Sequence, residues 1–164
     1  MEVLYEKLVK RYVQKIPEIK WIDWDSGQLE AFDTNYPVHF PCILIDLEQI
    51  EWKSVGNDLQ VGNVTVNLRI AFKLWTDTNN LTPDNVFAQS MNALKLINKI
   101  HKYTQGFEGE HFNGLDRILT VTEKRSDGLK VVNMKYLTNM RDAWAMKEYT
   151  ETNAQPSIEI EFDV

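Results

Sequence analysis

Asp46 and Glu48 stand two residues apart in the stretch NYPVHFPCILIDLEQIEW, residues 35–52. On an extended chain this spacing projects both carboxylates from one face about 7 Å apart, a separation that suits a shared metal ion or general acid–base work. A half-exposed strand with acidic residues on its wet face has the same pattern. No His, Lys or Arg nearby in sequence completes a site, so the solvated face is the favoured reading. Of the three histidines, His39, His101 and His111, none belongs to a spaced pair such as HExxH. His111 lies in EGEH beside Glu108 and Glu110, so a small metal-binding enzyme, the alternative of a different class, would use Asp46, Glu48 and His111. Gly106, Gly109 and Gly114 follow a helical pattern where a phosphate loop should follow a strand. No serine sits in GxSxG, and Cys42 has no activating partner in its apolar run. The residues therefore lead us to expect no catalytic residue, no resident metal and no cofactor.

The elements that would carry these side chains belong to an ordinary globular chain. It has 164 residues, 43% hydrophobic and 26% charged, with seven Gly and five Pro, enough for one domain spanning residues 1–164. A formal net charge of -6 argues against a broad phosphate-binding surface. Cys42 is the single cysteine, which excludes an intrachain disulfide and a Cys-based zinc cluster and predicts a buried thiol. The opening MEVLYEKLVKRYVQKI lacks the apolar run of a signal peptide, and no stretch approaches the roughly 20 apolar residues of a membrane span. An intracellular protein is expected.

Val3, Leu4, Leu8, Tyr12 and Ile16 recur at helical spacing and predict an amphipathic helix over residues 2–16, stopped by Pro17. After the aromatic segment IKWIDW, a long loop is expected over about 25–40. From Pro41 the side chains alternate, with Ile43, Ile45 and Leu47 on one face and Leu44, Asp46, Glu48, Ile50 and Trp52 on the other. A hairpin loop over Ser54–Gln60 should lead into the strand Val64–Trp75, with Val64, Val66, Leu68, Ile70, Phe72 and Leu74 inward. Thr82-Pro83-Asp84 reads as an N-cap followed by proline at the first helical position. The helix it opens should run to about Tyr103 and bury Val86, Phe87, Met91, Leu94, Ile97 and Ile100, while Lys95, Lys99 and Lys102 face solvent. Strands over Leu115–Glu123 and Val131 to about Met146 pair across the turn Arg125–Gly128, and a C-terminal strand is expected over about 157–163. The order predicts an α+β fold: an antiparallel sheet of long hairpins with two main helices packed on one face.

Trp52 and Trp75 fall toward the ends of their strands on the predicted polar face, where an exposed aromatic residue marks a partner surface as readily as a packed sheet end. With the stretches YPVHFPCILIDLEQIEW, QVGNVTVNLRIAFKLW and ILTVTEKRSDGLKVVNMKYLTNM, the order of elements resembles the tail terminator and tail-completion proteins of long-tailed bacteriophages and prophages. The resemblance covers nearly the whole chain, except that KEYTETNAQPSIEIEFDV beyond Trp144 does not align with the family. It implies a virion structural protein that joins as a homo-oligomer, usually a six-membered ring. Such a ring ends the tail tube, contacts the major tail tube protein and the head connector, and lets DNA pass through its lumen without specific binding. It implies assembly in the bacterial host cytoplasm and incorporation into the virion tail, with no membrane and no catalysis. Asp46, Glu48, Trp52, Trp75 and the apolar set Ile158, Ile160 and Phe162 of the final strand, opposite Glu159, Glu161 and Asp163, are the expected interface residues. An adaptor binding one host protein is a third alternative.

Overall fold

The computed structural model describes residues 1–30, 38–73 and 79–146. Helix α1 spans Glu2–Lys15 and buries Leu4, Leu8 and Tyr12, as the spacing predicts, with Ile16 buried just past its end. Four strands follow the predicted pattern: β2 over Cys42–Gly56, β3 over Leu59–Lys73, β4 over Asp116–Glu123 and β5 over Leu129–Asp142. The fifth, β1 over Trp21–Trp24, lies in the aromatic segment read from sequence without a strand, and it runs parallel to β2. Every other pairing is antiparallel, and the sheet order is β1-β2-β3-β5-β4. The fold is the expected α+β architecture, with one parallel edge strand added.

The β2–β3 hairpin is tighter than the predicted loop. Strand pairing continues to Gly56 and Leu59, so only Asn57 and Asp58 turn the chain, both with positive φ (51° and 60°). Two left-handed residues in a two-residue loop match the right-handed twist of the strands, and Asn and Asp tolerate that region better than other side chains.

Cross-strand rows assign the faces. One face carries Ile43–Ile70–Val132, Ile45–Leu68–Met134 and Leu47–Val66–Tyr136. All nine residues lie in or against the main core, together with Leu4, Leu8, Tyr12, Ile16 and Ile100 from the helical layer. Both helices therefore cover this face. Tyr12 and Thr104 fasten them: the Thr104 hydroxyl donates to Ile100 O at 2.8 Å, so the buried Tyr12 hydroxyl donates to Thr104 Oγ1, also at 2.8 Å. Arg11 adds a bond from Nε to Tyr103 O at 2.5 Å, at the carbonyl-rich end of a helix.

Helix α2 spans Asp84–Thr104, with Pro83 rather than Thr82 at its N-cap position and no side-chain cap bond. Its contact with the core is concentrated toward its C-terminal end, where Ala93, Leu96 and Ile97 pack against the cluster and Ile100 is fully buried. Phe87 and Leu94, expected inside, are 41% and 53% exposed. Helical periodicity puts them on an apolar side of the helix, but the side turned to the core is the one that carries Ser90, Ala93, Leu96, Ile97 and Ile100. Among the described residues no helix is long and apolar enough to cross a membrane.

The second sheet face has a smaller core of its own. Cys42, Leu44, Ala71, Leu129 and Val131 are buried there under Leu29, with Val38 and Phe40 packed at the margin. The predicted thiol burial holds, and it pushes the Cys42 thiol up to about 12. Part of the face expected to be polar is thus covered by the segment before β2. Residues 31–37 of the predicted loop, Leu74 and Trp75, and the predicted strand over 157–163 lie outside the described residues.

Candidate functional site

Strand β2 carries most of the sequence-predicted interface, and a bulge changes its register. Leu47 pairs with Val66 and Gln49 with Thr65, so Glu48 is an extra residue with no partner of its own. One inserted residue exchanges the faces of everything beyond it. Ile50 pairs with Val64 and Trp52 with Gly62, which returns both side chains to the helix-covered face, where they pack against the main core. The expectation that Asp46 and Glu48 share a face with Ile50 and Trp52 is therefore corrected. An unbroken alternation cannot register an extra residue.

Trp52 is half-buried over Gly62. A methyl group on Gly62 would lie 2.6 Å from Trp52 Cε3 and 3.0 Å from Ile50 Cγ2, so the indole occupies the space that glycine leaves.

Asp46 lies on the opposite face in the row Asp46–Asn67–Lys135–Leu119. Glu48 reaches the same row, with its Oε2 2.6 Å from Lys135 Nζ. Burial, followed by the nearby charges of Asp25 and Glu48, raises the Asp46 carboxyl above its usual value. This is a carboxylate pair in which one member has a cation and the other is partly desolvated. His111 does not join them: its carbonyl accepts from Arg141 N, six residues along β5 from Lys135, or roughly 20 Å. Among the described residues no group of three or more His, Cys, Asp and Glu could hold a metal ion. Trp75, Ile158, Ile160 and Phe162 lie outside the described residues.

The densest polar constellation on the outer face was not legible as a site. Arg69, in the row Leu44–Arg69–Asn133–Val121, has a side chain only 13% exposed. Its guanidinium grips Glu123 in a two-bond fork, Nε to Oε1 at 2.7 Å and Nη2 to Oε2 at 3.0 Å. Nη1 also donates to Glu30 Oε2 at 3.2 Å and lies 3.4 Å from Asp25 Oδ2. Arg125 meets Glu123, Glu30 and Asp127 and donates to Leu29 O at 2.8 Å. Two guanidiniums thus tie the segment 25–30 and the β4–β5 turn onto β3 through four carboxylates. The partners stand up to 96 residues apart, so no local spacing announces them. Glu123, at the end of a predicted strand, and Arg125, in the predicted turn, both belong to this network.

Hydrogen bonding from Arg69, with Asn133 and Arg125 adding to it against the cost of burial, holds the Glu123 carboxyl down at about 2. The folded-state value lies below the ordinary one of 4.5, so the stabilisation is complete above pH 4.5 and is lost as the pH falls toward 2. Glu30 is lowered in the same direction, mainly by its bond from Arg69. The urea midpoint should therefore fall as the solution is acidified through that window, and Glu123→Gln should flatten this limb. An acid limb identical in the two proteins contradicts the assignment.

The remaining feature is the edge. Among the described residues strand β4 pairs with β5 alone and forms one margin of the sheet. Ile118, Leu119 and Val121 are 53%, 46% and 46% exposed, and Leu137 beside them on β5 is 41% exposed. Leu119 and Val121 share the outer face with Leu137, whereas Arg117, Thr120 and Thr122 stand in the rows of Tyr136, Met134 and Val132 on the other face.

The chain matches no protein-family model and no curated protein. Among solved structures it is similar to a chain described as "Virion of native gene transfer agent (GTA) particle", with a TM-score of 0.44 and 6% identity over 79% of this chain and 91% of that one. A likeness at that level carries no argument about what this chain does.

Proposed function

We propose that this chain is a single-domain structural protein of a phage or prophage tail, a tail terminator or a close relative that acts by self-assembly. The resemblance of its strand and helix order to that family supports the reading. One structural observation carries it: the β2–β3 hairpin has two fifteen-residue strands, and all of the residues 53–63 except Leu59 and Gly62 are exposed. Strand β5 follows β3 as far as Gln60–Asp142, so this sheet end is a backed, three-stranded surface whose exposed side chains offer contact area to a neighbour.

In this reading subunits close into a ring of six at the end of the tail tube. Each contacts the next through this sheet end and through Asp46, Glu48 and Trp52, with Trp75, Ile158, Ile160 and Phe162 also at contacts. The major tail tube protein lies on one side and the head connector on the other. Six copies at -6 each would carry 36 negative charges, which suits a lumen through which DNA slides without adhering. Assembly takes place in the host cytoplasm and the protein ends in the virion tail.

The test is tube capping. Tail tubes polymerised from a major tail tube protein of the same phage or prophage should acquire one particle at one end and stop elongating when this protein is added. Binding along the whole tube, or none, contradicts the proposal.

A further inference from the structure

Strand β4 presents eight residues, DRILTVTE, with three large apolar side chains exposed; among the described residues no strand lies on its outer edge, where Gln105 Oε1 accepts from Arg117 N at 3.0 Å and no side-chain bond caps the stretch beyond. It contains no proline and no lysine, the residues that usually protect such an edge. Its two faces differ in kind. The outer face offers Leu119 and Val121, continued by Leu137; the helix-side face offers Arg117, Thr120 and Thr122. Arg117 has no carboxylate partner among the described residues. An occupant that completes this edge must therefore be a strand of about the same length, apolar on one side and acidic on the other.

The sequence supplies one such strand. Beyond Met146 the chain continues for eighteen residues and ends in SIEIEFDV, residues 157–164, in which Ile158, Ile160 and Phe162 alternate with Glu159, Glu161 and Asp163. Its length matches that of β4. Added beside β4, it would set its apolar side against Leu119 and Val121 and its carboxylates beside Arg117 and the two threonines.

We propose that β4 is the acceptor edge for the C-terminal segment Ser157–Val164 of a second copy of this chain, and that this strand addition links successive subunits. The proposal rests on the ring reading above and names its joint. Pairing β4 with another β4 would use the same surface on both sides and stop at two copies. Edge and tail are two different surfaces on one chain, and only such a head-to-tail contact can repeat until a ring closes.

The test uses two full-length proteins, Val121→Cys and Ile160→Cys, mixed and oxidised; the native Cys42 is buried and unreactive. The main band should shift from the one-chain to the two-chain position. The shift should be lost when Val55→Cys, at the far tip of the hairpin, replaces Val121→Cys. Free peptide Ser157–Val164 should suppress it, as should Arg117→Glu in the acceptor, with recovery when Glu159→Arg and Glu161→Arg are placed in the donor. Absence of the mixed disulfide overturns the proposal, as does a Val121→Cys/Ile160→Cys chain that closes only on itself. Rings formed without the cross-link would leave the ring reading standing and this joint wrong; cross-linked open chains without rings would do the reverse.

Discussion

Arg69→Met should destabilise the fold by about 3–5 kcal/mol, the cost of stranding desolvated charge when one partner of a buried ion pair is removed. The guanidinium is 13% exposed and Glu123 22%, so little water is available to replace the lost fork. Glu30 is half-exposed and will be hydrated, so most of the loss should come from Glu123 and Asp25. This attribution can be checked. Adding Glu123→Gln to Arg69→Met should restore part of the stability, because the second substitution removes the stranded charge, and urea titrations of the four proteins give the coupling. Strict additivity of the two substitutions would mean that the fork contributes nothing. The segment 25–30 should also lose protection from hydrogen exchange, since Arg69 and Arg125 hold it on the sheet.

Gly62→Val is the second large effect. Its Cβ would collide with Trp52 at 2.6 Å and its branches with Ile50, and a packed sheet face yields only by moving one of them. Overpacking of this kind costs about 1–3 kcal/mol. The indole, displaced from the core side, should show red-shifted fluorescence, and a protein with native stability and unshifted emission contradicts the placement of Trp52 over Gly62. Because Trp52 begins the exposed end of the hairpin, self-association should weaken in the same variant.

The helix α1, the two hairpins and the burial of Cys42 were legible in the sequence because each follows a local period. Val64 to Phe72 alternates without interruption, and Leu4, Leu8, Tyr12 and Ile16 keep one helical stripe. Three features were not legible, each for a physical reason. The bulge at Glu48 inserts a residue without changing the composition, so the faces of Ile50 and Trp52 were assigned the wrong way round. Strand β1 has four residues, and its identity as a strand comes from pairing with β2 rather than from its own pattern. Phe87 and Leu94 have the period of buried residues, but the side of α2 turned to the core is the one that carries Ser90, Ala93, Leu96, Ile97 and Ile100. As for the candidate surfaces, the sequence placed Asp46 and Glu48 correctly on a face away from the main core. It could not show that Glu48 meets Lys135, 87 residues away, or that Arg69 and Glu123 form a fork across two strands.

The contrast between the two sheet faces bears on assembly. One is filled by helices. The other passes from a small core at Cys42, through an ion-pair network that fixes its covering segment, to exposed Leu119, Val121 and Leu137 at the open margin. Partly apolar and carrying the paired charges of Arg69, Arg125 and Lys135, this outer surface and the exposed hairpin end offer contact area without a catalytic constellation among the described residues.

The mass of the purified full-length protein in solution at tens of micromolar, measured by native mass spectrometry with light scattering as a check, tests the central claim most directly. Self-assembly into a closed ring predicts a discrete species near six times the 19.2 kDa chain, with a central hole in negative-stain images. A strict monomer under those conditions, with no annular particles, would contradict it.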